Sequence, residues 1–267
     1  VNLLSATRSE ITKITSTRLW WVLALIMVGY VALCAGGMAA ILGGLGSEAN
    51  GPAIPSAQLP SLVYSFATSV GYVFPVLFGA LAVTSEFRFQ SLTPTFLAVP
   101  RRGYVLTGKV VALLLAGAVF GVLALIASMG VGAGLLAAFG IDPLLTEPET
   151  WAFVGRSILA MALWSALGVG LGTLVPSQVA AIVIVLAFTQ FVEPLLRVAA
   201  GFTDWSAQVA QFLPGSASDS LVGASIYAAM TGGGAGLEWW QGGLVLAAYA
   251  AVATVIGFFT SWRRDVS

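Results

Sequence analysis

Apolar residues along the chain fall into six long blocks separated by short polar or Pro/Gly-rich stretches. A helix that crosses the hydrocarbon core of a bilayer needs roughly 20 apolar residues. Leu19–Leu42, Leu62–Thr84, Val110–Phe139, Trp151–Val175, Val179–Val198 and Gln241–Ser261 all reach that length. The third block, with 30 residues, would be about 45 Å long as an ideal helix. It must tilt, protrude, or break near Gly130, Gly132 and Gly134. The connections "GSEANGPAIPSAQLP", "GIDPLLTEPET" and "PSQ" are rich in turn-forming residues. The expected fold is all-α, a single membrane domain of six helices over residues 1–267.

Composition agrees with this pattern. Hydrophobic residues make up 58% of the chain and charged residues 8%, where a soluble domain carries about 25% charged residues. So little polar surface calls for lipid as the surrounding solvent. The formal net charge is +0, so nothing draws the chain as a whole to nucleic acid. The distribution of charge is informative. Arg8, Lys13, Arg18, Arg88, Arg101, Arg102, Lys109, Arg263 and Arg264 all fall on one side if the chain crosses six times. Glu48, Asp142, Glu147, Glu149, Asp204, Asp219 and Glu238 fall on the other, where the only basic residues, Arg156 and Arg197, sit at the margins of apolar blocks. The positive-inside rule then puts both termini in the cytoplasm, and a multi-pass protein of the bacterial plasma membrane is the expected setting. Trp20, Trp21 and Trp262 mark the inner boundary, and Trp151, Trp239 and Trp240 the outer one. The N-terminal "VNLLSATRSEITKITSTR" is too polar for the core of a signal peptide, so the first span is expected to be retained.

Candidate chemistry is sparse. The chain has no histidine, which removes Ser-His catalysis and His-ligated metal from consideration. Its one cysteine, Cys34, lies inside an apolar block and reads as a small buried hydrophobe. Gly103, Gly108 and Lys109 form G-x-x-x-x-G-K, but a phosphate-binding loop needs a preceding strand and Ser or Thr after the lysine. Val110 occupies that place. Pro100 instead reads as the first turn of the third helix, with Lys109 snorkelling toward the headgroups. The chain is therefore expected to have no ATPase site, no cofactor and no metal of its own.

The loop "TSEFRFQSLTPTFLAVPRRGYVLTGK" between the second and third spans carries Phe87, Phe89, Leu92, Phe96 and Leu97. Apolar residues in a short loop must bury against headgroups or a partner. An acid at the end of span two, a short Thr/Leu stretch and then "LAVPRRGYVLTGK", together with the opening "RSEITKITSTRLWWVLAL", resemble the membrane subunits of ABC-2 type transporters, in particular actinobacterial permeases. The resemblance covers the whole chain in layout and about 50 residues in motif-level detail, the motifs themselves being degenerate.

That resemblance implies a permease fold of the ABC-2, type V exporter-like kind. It implies a permease dimer (a homodimer in the simplest case) with two copies of a separate ATP-binding subunit, which binds ATP and Mg. Export of a hydrophobic or amphipathic compound, such as a drug, lipid or natural product, is the implied function. Residues 1–18 would be an interfacial elbow helix, 85–105 the cytoplasmic coupling loop, and 199–240 a partly re-entrant outer segment. Coupling to the ATPase would fall to Glu86, Phe87, Arg88, Phe89, Leu92, Thr95, Phe96, Leu97, Pro100, Arg101 and Arg102. Two readings from other classes compete. A stand-alone secondary transporter would show two related halves, with broken helices and buried charges at mid-membrane. A membrane-embedded lipid-processing enzyme would need a cluster of catalytic groups, and no such cluster is legible.

Individual residues carry open alternatives. Glu86 and Arg88 read either as part of a coupling switch or as a solvated helix end. Arg101 and Arg102 read as headgroup anchors or ATPase contacts. Glu193 and Arg197 are spaced to pair on one helix face and are gate or substrate-path candidates, as are the aromatic residues Phe66, Tyr72 and Phe74. Arg156 can snorkel outward past Trp151. Gly117/Gly121, Gly130/Gly134 and Gly168/Gly172 have the spacing of close helix packing.

Overall fold

The computed structural model describes residues 3–45, 56–98, 101–200, 203–224 and 236–262. Helices α1 (Leu3–Ser16) and α2 (Leu19–Leu45) open the chain. A second span follows in three pieces, α3 (Leu59–Tyr64), α4 (Phe66–Ser69) and α5 (Val73–Arg88). A short α6 (Leu92–Ala98) leads to α7 (Arg102–Ala138) and then α8 (Pro148–Leu174). The fifth span joins α9 (Gln178–Ala187), a π-helical segment at Phe188–Val192 and α10 (Glu193–Ala200). Short helices α11 (Asp204–Ala210) and α12 (Pro214–Val222) precede α13 (Trp239–Gly257), which ends in a π-helical turn at Phe258–Trp262. No strand occurs among the described residues.

Six helical stretches are long and apolar enough to cross a membrane: Leu19–Gly44, Leu59–Arg88, Arg102–Ala138, Pro148–Leu174, Gln178–Ala200 and Trp239–Trp262. The chain is a multi-pass membrane protein. Each of the six apolar blocks yields one stretch, its ends shifted by a few residues and the second and third lengthened by polar residues at their basic ends. The third is one unbroken helix of 37 residues, about 55 Å long, so it overshoots the hydrocarbon instead of breaking at its glycines. Of those, Gly132 takes the Val63 side chain against its backbone, while Gly130 and Gly134 have nothing within 4 Å.

Local chemistry fixes the ends of these elements. α7 closes in a Schellman motif, Gly140 N–H on Ala137 O and Ile141 N–H on Leu136 O, with Gly140 at φ 75°. α5 closes in the same way: Gln90 N–H donates to Phe87 O and Ser91 N–H to Glu86 O, with Gln90 left-handed at φ 52°. α8 starts on Pro148 in its first turn, where the missing N–H has no helical partner to lose.

α8 is the centre of the bundle, packed against α5, α7 and α13. In its most apolar window 72% of residues are buried, against 22% in the fifth and sixth spans. Glycines bring α8 and α5 into backbone contact. A Cβ on Gly168 would strike the carbonyl of Val76, and one on Gly79 the carbonyl of Ser165. Gly117 and Gly121 of α7 lie equally close to Met161, Ala162 and Ile158 of α8. Phe78 and Phe120 stack in the core at 5.3 Å.

The ends of the bundle separate by charge. Lys13, Glu86, Arg102, Lys109 and Trp262 meet at one end, where Trp262 Nε1 donates to Arg102 O at 3.3 Å. At the other end Tyr64 Oη donates to Pro143 O at 2.7 Å, and the Arg156 guanidinium lies 5.6 Å from the centre of the Trp239 ring. Arg156 therefore rests on Trp239.

Candidate functional site

Two buried groups of charge stand out, one at the basic end and one deep in the opposite half. At the basic end α1 crosses the start of α7 at Gly108, whose missing side chain leaves room for Ala6 and Thr7. Next in sequence, Lys109 is only 2% exposed. Its Nζ contacts Glu10 Oε2 and lies 3.0 Å from Glu86 Oε1. Lys13 Nζ bridges the same acids, 2.6 Å from Glu10 Oε1 and 2.9 Å from Glu86 Oε1. Two lysines and two glutamates thus neutralise one another where α1, α5 and α7 meet. This overturns two expectations. Lys109 does not reach outward, because its buried ammonium is held between two carboxylates, and Glu86 is not a solvated helix end.

The clasp also sets the charge states on α1. Burial pushes the Glu10 carboxyl up, but Lys109 and Lys13 outweigh it and hold the group below its ordinary 4.5. Burial works against the Lys13 ammonium, and Glu86 and Glu10 more than offset it, leaving the group above 10.5. Both shifts favour the charged pair.

The loop residues next to the clasp divide into anchors and exposed groups. Leu92 is fully buried, and Phe87 meets Trp262 edge-on at 5.9 Å. Arg88 donates to Gln178 Oε1 at 2.9 Å, and Thr95 Oγ1 to Ser91 O at 2.8 Å. The Arg101 guanidinium lies over Tyr104, 5.5 Å from the ring centre, and Arg102 starts α7. Phe89 and Leu97, by contrast, are 71% and 80% exposed. Pro100 and the side chain of Phe96 lie outside the described residues.

The second group lines a cavity of about 240 Å³ between the second, fourth and fifth spans and α12. Glu193 and Arg197 pair at 2.9 Å, as their spacing predicts. Arg197 Nη1 also reaches Asp219 Oδ2 on α12 at 2.7 Å. Ser216 N–H, at the start of α12, donates to Glu193 Oε1 at 3.2 Å. Gly215 leaves room for the pair, since a Cβ there would push against the ends of both the Arg197 and Glu193 side chains. Glu193 Oε2 is buried with no hydrogen-bond partner among the described residues. Tyr72 and Trp164 form the aromatic wall, ring centres 4.5 Å apart, with Tyr72 Oη donating to Thr189 O and Trp164 Nε1 to Ser218 Oγ.

Two of the three spans that border this cavity are irregular beside it. In the second, helix is interrupted between Ser69 and Val73, and Pro75 sits in the first turn of the resumed helix, where it withholds no needed donor. In the fifth, the π-helical segment immediately precedes Glu193 and Pro194. Pro194 lacks the N–H that Gln190 O would accept, and the wider π turn accommodates its ring. π segments of this kind often mark functional sites.

Of the sequence candidates, Glu193, Arg197 and Tyr72 come together at the cavity. Phe66 and Phe74 do not. Phe66 is buried in the main core, and Phe74 packs beside Tyr30 at 6.3 Å. The structure adds Glu10, Lys13, Lys109 and Gly108 at the basic end, and Asp219, Trp164, Ser218 and Gly215 at the cavity. The i,i+3 spacing of Glu10 and Lys13 was their one local signal, while Asp219 had none. Arg197 also links Glu193 to Asp219, a connection that inspection of single spans does not reveal. Comparison with protein-family models and with curated proteins gives no match to this chain.

Proposed function

We propose that this chain is the permease subunit of an ATP-binding cassette transporter of the ABC-2 type, in a bacterial plasma membrane with both termini cytoplasmic. In this reading two copies form a homodimer that associates with two copies of a separate ATPase, which holds ATP and Mg. The transporter exports a hydrophobic or amphipathic compound. The observation that carries the reading is the α6 loop. Leu92 is buried and ties the loop to the bundle, while Phe89 and Leu97 project large apolar side chains away from it. Such groups at a basic membrane boundary call for a protein partner or lipid headgroups. Glu86, in the clasp with Lys109 and Lys13, lies directly before that loop, so force on α6 would reach α1 and α7. The sequence likeness of "LAVPRRGYVLTGK" points to an ATPase as the partner.

The test is to look for an ATP-binding subunit in the neighbouring genes and to co-purify the chain with it. Phe89→Asp/Leu97→Asp is expected to abolish association and ATPase stimulation while leaving the monomer's unfolding midpoint unchanged. Retained association in the double variant would remove the assignment.

One observation favours a second reading, a stand-alone secondary transporter. The interrupted second span and the π segment of the fifth meet at buried charges, an arrangement such transporters use. Gradient-driven uptake into liposomes containing this chain alone would select that reading over the first.

A further inference from the structure

We propose that the cavity beside the two irregular spans binds the protonated primary amine of an amphiphile, with Glu193 Oε2 as the acceptor. Glu193, Arg197 and Asp219 are the charged side chains that line it among the described residues. With both acids ionised they sum to one negative charge. Arg197 spends its Nε and Nη2 on Glu193 Oε1 and its Nη1 on Asp219. Ser216 N–H also converges on Oε1. Glu193, 2% exposed, lines the cavity and has its Oε2 buried without a partner among the described residues. A buried carboxylate oxygen without a donor is costly, and a ligand N–H relieves that cost. An anion would meet net negative charge there, and a neutral group would leave the charge unbalanced.

The aromatic wall agrees with this choice. Tyr72 and Trp164 flank the cavity, and ring faces attract ammonium groups. A quaternary ammonium could use the rings but has no N–H for Oε2. Size determines the rest of the ligand. About 240 Å³ is smaller than the pockets that enclose drug-sized ligands, so it holds a head group and a few carbons. The remaining chain must lie outside, and Phe191 and Leu195, each 69% exposed on the same span, supply an apolar flank for it. This inference deepens the proposed function by naming the substrate class. It rests on that function for the direction of transport, though not for binding.

The test uses the full chain in nanodiscs of neutral phosphatidylcholine, with octylammonium, octyltrimethylammonium and octanol as probes. Saturable binding is read from the shift in unfolding midpoint. Octylammonium is expected to bind about tenfold or more tighter than the other two, the ratio set by one charge-assisted hydrogen bond. Glu193→Gln is expected to lower octylammonium affinity about tenfold and leave octanol unchanged. If that variant does not fold, Asp219→Asn carries the same test, because it keeps Oε2 but cancels the net charge, and weaker amine binding is again expected. Equal binding of amine and alcohol to the native chain overturns the proposal, as does unchanged amine affinity in the folded variant. Amine binding without ATPase association would fail the permease reading and leave this site standing. ATPase association without amine binding would do the reverse.

Discussion

Lys109 is buried between two carboxylates, and its removal leaves Glu10 and Glu86 sharing Lys13 alone. Breaking a buried ion pair by deleting one partner typically costs about 3–5 kcal/mol. Lys109→Ala is expected to lower the unfolding midpoint accordingly and to expose the α1 amides to hydrogen exchange. The double variant Glu10→Gln/Lys109→Gln should lose less than the sum of its single changes, because neither charge is then stranded. The same exchange experiment has a defined pH course. The lowered Glu10 pKa contributes stability that is present above 4.5 and lost as pH falls through the folded value. The raised Lys13 pKa contributes stability that is full below 10.5 and lost as pH rises through its folded value. Docking of α1 should therefore be strongest between those limits. Glu86 could be singled out in the sequence as an acid closing an apolar block. Glu10 could not be matched to Lys109, because their partnership spans 99 positions of chain and no local periodicity records it.

At the scale of elements, glycine placement decides which helices touch. Gly79 on α5 faces the Ser165 carbonyl so closely that any side chain must separate the two helices. Gly79→Val is expected to destabilise by about 3 kcal/mol, the upper part of the overpacking range, because backbone cannot move aside as a side chain does. Its measure is the unfolding midpoint against that of Gly130→Val, which meets open space and should change little. Spacing alone did not separate these cases. Gly168/Gly172 pack tightly on α5, whereas at Gly130/Gly134 of the same pattern an added Cβ would meet nothing within 4 Å among the described residues. The interruptions of the second and fifth spans were equally hidden. Pro75 and Pro194 stand in plain view, but an apolar run with no polar face has no periodicity to be seen to break.

For the whole molecule, the alternating spans place both ends of the described chain at the basic end of the bundle, where Lys13 meets Glu86 and Phe87 meets Trp262. The proposed cytoplasmic orientation of that end is open to direct labelling in a Cys34→Ala background. A membrane-impermeant maleimide should modify Thr146→Cys in intact cells and Thr12→Cys only after permeabilisation, both positions being exposed. The reverse pattern would invert the topology. The two charge groups lie at different depths. The clasp sits at the basic boundary, while Glu193 lies 15 residues into its span from Gln178, about 22 Å along an ideal helix. α5 joins the two groups, with Glu86 of the clasp in its last turn and Tyr72 of the cavity just before its first residue.

The sequence by itself determined that this chain is helical, that it has six stretches able to span a bilayer, where each lies, and that one set of loops is basic. Those properties follow from run length and residue type, which the hydrocarbon and its charged boundaries select without reference to any partner. Tertiary structure alone decided that Lys109 is buried and that Gly108 seats α1. It also decided that Asp219 joins Glu193 and Arg197, and that two irregular helices share one cavity. These depend on contacts between residues far apart in the chain, fixed by close packing that an apolar sequence leaves unspecified.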